Sequence, residues 1–95
     1  MAAEQRGQIG VRDAIDQGRH FLQAVSDEPL ANLRLEEIEY DDAEETWLVT
    51  LGYDRVVDNP LAPLGVLTKN SVRVYKIVTI DAFSGKPRAM RIRTL

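Results

Sequence analysis

Seven of the ten residues from Glu36 to Glu45 are carboxylates, the densest group in the chain able to hold a cation or move a proton. A calcium loop sets its oxygen ligands at alternating positions around a glycine turn. This run, Glu36-Glu37-Ile38-Glu39-Tyr40-Asp41-Asp42-Ala43-Glu44-Glu45, has no glycine, and an extended chain sends neighbouring acids to opposite faces. Acid–base catalysis needs a pocket that drives two carboxyl pKa values apart. Nothing in the local pattern builds one. The chain has no cysteine and one histidine, His20, which excludes a thiolate metal site and leaves zinc short of nitrogen ligands. No nucleophile–base arrangement stands out, so the expectation is no catalytic residue, no metal, no cofactor and no enzyme activity.

The second chemical feature is basic. Lys86, Arg88, Arg91 and Arg93 crowd the C-terminus, where Arg91 and Arg93 alternate with Met90 and Ile92. Such a strand can lie along a phosphate backbone. A pI near 5.1 and the lack of aromatic residues among these arginines make nucleic acid the secondary expectation, and a small-ligand-binding domain of the cone-shaped α+β type is the third, with little volume for a cavity in 95 residues and one helix. Charge is divided along the chain: residues 1–54 carry four basic and thirteen acidic residues, −9, and residues 55–95 carry eight and two, +6. Either adjacent strands pair these charges, or the two poles steer a charged partner.

Five elements are expected to position these groups. Val11, Ala14, Ile15, Gly18, Leu22 and Val25 recur at helical spacing, giving an amphipathic helix with His20 on its polar side. Ser26-Asp27-Glu28-Pro29 ends it, because proline disfavours helix at the preceding residue. From Leu33 the period changes to that of a strand, with a bulge or strong twist near Glu37. Thr46 to Arg55 alternates clearly, with Trp47, Val49, Leu51 and Tyr53 on one face. A third strand spans about Ser71 to Asp81, where Lys76 shares a face with Val72, Val74, Val78 and Ile80. Ala82-Phe83-Ser84-Gly85-Lys86 closes a hairpin onto residues 87–95. The expected fold is α+β: one N-terminal helix packed on a curled four-stranded antiparallel sheet, α-β-β-β-β. At 95 residues the chain makes a single domain, 1–95, after a flexible 1–10 segment.

Residues 56–70 are expected to link the two hairpins as a long apolar loop containing two prolines. Leu61, Leu64, Val66 and Leu67 either fold back to cap the core or stand exposed as a contact surface. With Tyr75 and Ile77, outward apolar positions of the third strand, they form the expected partner-binding set. The N-terminus lacks the apolar core of a signal peptide, and no apolar run approaches the roughly 20 residues of a membrane span. The default expectation is a cytoplasmic chain without membrane insertion.

Two strings, Glu45-Thr46-Trp47-Leu48-Val49-Thr50-Leu51 and Tyr75-Lys76-Ile77-Val78-Thr79-Ile80-Asp81-Ala82-Phe83-Ser84-Gly85-Lys86, resemble the paired strands of PepSY-type domains, in which a strand ends in aspartate before a Ser/Thr-Gly hairpin. The order of elements is similar to the cystatin-like architecture. The resemblance implies a non-catalytic, regulatory module that binds another protein or a second copy. It does not extend to a cystatin-type protease wedge, because Gln23-Ala24-Val25-Ser26-Asp27 lacks the glycine of that motif.

Overall fold

A computed structural model describes residues 7–58 and 69–94. Helix α1 covers Val11–Val25, and strands β1 (Ala31–Asp41), β2 (Thr46–Asp58), β3 (Lys69–Asp81) and β4 (Pro87–Ile92) form one antiparallel sheet in the order β1-β2-β3-β4. The fold is one N-terminal helix packed on a four-stranded antiparallel meander.

The helix forms where its apolar stripe requires it. Ala14, Ile15, Gly18 and Leu22 are the buried positions, and His20 is exposed, as the helical wheel predicts. No side chain caps the first turn, where Ala14 N–H donates to the Gly10 carbonyl at 3.1 Å. The preceding residues are held elsewhere: Ile9 N–H donates to the Ala82 carbonyl at 2.7 Å. Ser26 leaves helical geometry with ψ 135°, three residues before Pro29.

Directly opposite residues on antiparallel strands share a face, so the register assigns the sheet's two surfaces. The helix-covered face carries Val49 against Val78, Leu51 against Lys76 and Tyr53 against Val74. Leu22, Val49, Leu51, Val78 and Ile80 are wholly buried between helix and sheet. Each such aliphatic side chain contributes about 1.5–3 kcal/mol by leaving water. Tyr40 and Trp47 face each other across β1 and β2 as an edge-to-face pair with ring centroids 5.0 Å apart.

Three irregularities shape the sheet edges. Between Leu35↔Leu51 and Glu37↔Thr50 β1 holds one extra residue, Glu36, which is the bulge expected near Glu37. Another extra residue falls between Ala31↔Asp54 and Arg34↔Gly52, where Asn32 has φ +53°, a conformation asparagine tolerates better than most side chains. On β4, Arg88 is extra between Pro87↔Ile80 and Ala89↔Thr79.

The central hairpin is longer than the sequence reading places it. β2 continues through Asp58 and β3 starts at Lys69, adding the rungs Val56↔Ser71, Val57↔Asn70 and Asp58↔Lys69. Consecutive β-branched residues at 56 and 57 favour that extension. The expected single four-stranded sheet is present, and the connection between its two hairpins is shorter than 56–70 because residues 56–58 and 69–70 belong to β2 and β3. The core of that connection, with Leu61, Leu64, Val66 and Leu67, lies outside the described residues.

Candidate functional site

The strands differ in length, and the difference creates the site. β1 pairs with β2 only as far as Asp54, opposite Ala31. β4 pairs with β3 from Ile80 to Lys76, and Arg93 N–H adds one bond to the Tyr75 carbonyl at 3.0 Å. Beyond those limits Arg55–Asp58 and Lys69–Val74 continue as a two-stranded ribbon, with no neighbouring strand on either edge among the described residues. A two-stranded ribbon is marginally stable alone, and unpaired strand edges are templates for further pairing.

α1 ends before it reaches this region. The helix-side surface past its C-terminus is an open cleft of about 510 Å³ formed by the end of α1, the following turn, β2, β3 and β4. Leu22, Val25, Val74, Met90 and Ile92 supply apolar wall, and Ile92 is 72% exposed. Lys76 also lines the cleft. Its register, opposite Leu51 on one side and Ile92 on the other, places it on the helix-covered face. Among the described residues it has neither a salt-bridge partner nor a hydrogen-bond acceptor. Of the other charges lining the cleft, Glu28 accepts the Tyr53 hydroxyl at 3.1 Å and the Arg55 guanidinium at 3.0 Å, and Asp27 is exposed. Burial, then the Glu28 hydrogen bond and charge, raise the Tyr53 phenol above its ordinary pKa.

The helix-free face is laced by charge. Arg73, with its side chain 17% exposed, reaches Glu36 at 2.6 Å, Asp54 at 3.1 Å and the Asn32 carbonyl at 2.8 Å. Asn32 donates to Asp54 at 2.6 Å; that bond and the Arg73 bond hold the Asp54 carboxyl below its ordinary range. Arg93 donates to Glu37 and lies 3.4 Å from the Thr50 hydroxyl. Its hydrogen bond is the largest cause lowering the Glu37 pKa. At the opposite end Asp81 accepts Phe83 N–H at 2.9 Å and Ser84 N–H at 2.8 Å, which lowers its pKa and fixes the β3–β4 turn.

The sequence-derived basic set is thus divided. Arg93 is committed to Glu37; Arg88 donates to the Glu44 carbonyl at 3.2 Å and sits 4.0 Å from Asp81. Arg91 and Lys86 are exposed and have no ion pair among the described residues. Tyr75 and Ile77, from the partner-binding set, lie on the helix-free face opposite Gly52 and Thr50 and are half-buried. The structure brings Arg88 and Arg91 together on one shallow depression beside Asp41 and Glu44, and gathers neither set as a whole into one pocket. The cleft was missed because residues from four separate elements meet there; its one local signal was a lysine in the apolar phase of β3. Among the described residues no cluster of three or more metal-ligating side chains occurs, and no helix is long and apolar enough to cross a membrane.

Fold and site together define a small α+β domain with an extended central hairpin and an adjoining amphipathic cleft. No family model, curated protein or solved structure matches the chain.

Proposed function

We propose that this chain is a non-enzymatic protein-interaction or regulatory module that accepts a strand from a protein partner, or from a second copy, along the free edge of β3. The observation that carries the reading is the unequal strand length: Lys69–Val74 extend past the end of β4 with one edge unpaired among the described residues. Strand addition supplies main-chain hydrogen bonds from that edge and specificity from alternate side chains. Val72, 44% exposed on the helix side, is the described apolar side chain such a strand would meet first. Leu61, Leu64, Val66 and Leu67 extend the same contact region in sequence, and Tyr75 and Ile77 flank it. The PepSY-type and cystatin-like resemblance supports a role in restraining another protein.

A nucleic-acid role through Lys86, Arg88, Arg91 and Arg93 has less support, because two of these arginines already have carboxylate or carbonyl partners. Hydrogen exchange tests the main reading. The edge-facing amides of residues 69–74 exchange rapidly in dilute protein and become protected as concentration rises or on addition of a partner recovered from the native host. Val72→Lys, which places an added charge on the edge strand, abolishes the protection while the far-UV spectrum is retained. Unchanged rapid exchange at every concentration and in host extract sinks the proposal.

A further inference from the structure

We infer that the cleft beyond α1 is a binding site for a free aliphatic carboxylate, with its headgroup on the Lys76 ammonium and its chain along Leu22, Val25, Val74, Met90 and Ile92. This site is distinct from the strand edge and does not depend on it. Its volume, about 510 Å³, lies within the usual range of small-molecule sites, about 300–1,000 Å³. Its walls come from three elements of the rigid core, since Leu22 is wholly buried at one end and Val74 and Met90 pack against the core cluster.

Lys76 determines the ligand's charge. On β3 the positions sharing its face are Val74, Val78 and Ile80, and its cross-strand neighbours are Leu51 and Ile92, so an ammonium stands where the pattern calls for an aliphatic group. A cation against apolar surface is costly unless it is paired or reaches water. The two carboxylates lining the cleft do not pair with it: Glu28 is held by Tyr53 and Arg55, and Asp27, exposed at the rim, makes no salt bridge to Lys76. An anion from outside the chain would supply the missing partner. A bare inorganic anion would leave the apolar wall unused, whereas an alkyl chain covers Val25 and Ile92, which are 45% and 72% exposed.

The test uses the full chain and decanoate below its micellar concentration. Calorimetry gives saturable one-to-one binding, and the midpoint of thermal unfolding rises with decanoate as mass action requires. Lys76→Met keeps the stem's volume and removes the charge; it folds, with a midpoint equal to or above wild type, and binds decanoate about tenfold or more weakly. Lys76→Arg retains binding. Decanol, which lacks the charge, binds wild type more weakly than decanoate and binds wild type and Lys76→Met alike. The strand-edge variant Val72→Lys leaves decanoate affinity unchanged, so failure of one proposal is distinguishable from failure of the other. Equal decanoate affinity in wild type and Lys76→Met, or non-saturating binding with no thermal shift, overturns the inference and leaves Lys76 as a lysine that snorkels to water.

Discussion

The clearest quantitative handle on the domain is the contact between α1 and β2 at Gly18. A Cβ placed there would lie 3.1 Å from Val49 Cγ1 and 3.2 Å from Val49 Cβ, against about 3.5–4.0 Å for carbons at rest. Val49 is wholly buried between Ile38 on β1 and Val78 on β3, so it has little room to yield. Two effects oppose each other in Gly18→Ala. Alanine in a helix interior gains about 1 kcal/mol over glycine, while overpacking a filled core costs about 1–3 kcal/mol. The expected net change is a loss of between zero and about 2 kcal/mol, too broad for the single variant to decide. The pair decides it. Val49→Ala alone loses about 2 kcal/mol, from two buried methyl groups and the space they leave. In that background only the 3.2 Å approach to Cβ remains, which a helix shift of a few tenths of an ångström into the vacated space relieves, so adding Gly18→Ala becomes stabilising by up to about 1 kcal/mol through propensity. The cycle therefore yields a favourable coupling of about 1–3 kcal/mol, read from urea denaturation followed by far-UV circular dichroism with unchanged m. A coupling below about 0.3 kcal/mol, the level of independent sites, refutes the claim that glycine is there for helix–sheet approach. The result bears on the cleft, because Leu22 and Val25 are carried on the next turns of the helix.

Gly85 in the β3–β4 turn has φ +74°, so Gly85→Ala costs about 1–2 kcal/mol in the same denaturation assay. Tyr53→Phe removes the hydroxyl that Glu28 accepts and loses about 1 kcal/mol, with the fold retained. The lowered pKa values of Glu37, Asp54 and Asp81 make stability depend on acid: these carboxylates stay charged in the folded chain where the unfolded chain has begun to bind protons. Their contribution is present above the unfolded values near 4 and is lost as pH falls through the folded ones, so urea midpoints drop below about pH 5. Glu37→Gln combined with Arg93→Gln flattens part of that fall; an unchanged profile would mean the pair is fully screened by solvent.

Much of the fold was legible because the period changes along the chain. The helical stripe to Val25, the bulge near Glu37 and the turn before Lys86 all follow from local apolar spacing or turn residues. The length of the central hairpin was not. The loop is expected to run from Val56 to Asn70, yet rungs as far as Asp58↔Lys69 form because the partner strand supplies the hydrogen bonds that local propensity cannot register. The site was legible only as an anomaly, a lysine in an apolar phase. That the cleft exists depends on how far α1 and β4 run compared with β2 and β3, and length differences between non-adjacent elements leave no mark in a periodic pattern.

The division of charge along the chain has a structural destination that bears on where binding can occur. Sheet order places β1, which carries Glu36, Glu37, Glu39 and Asp41, three strands from β4, which carries Arg88 and Arg91 and leads into Arg93. An arginine and a glutamate extended toward each other cover about the 14 Å of three inter-strand spacings, and Arg93 meets Glu37 in this way, passing Thr50 on β2. Arg73 on β3 completes the lacing with Glu36 and Asp54. The two poles thus neutralise each other across the helix-free face, which explains why Tyr75 and Ile77 are half-buried there without a second chain. That leaves the other face to interpret. There β3 presents a cation, Lys76, that forms no salt bridge among the described residues, beside apolar wall past the end of the helix. The helix-free face pairs its charges around Arg73 and Arg93, with Arg91 left exposed at its margin; on the other face Lys76 stands beside apolar wall, where an external anion has both a charge and a surface to bind.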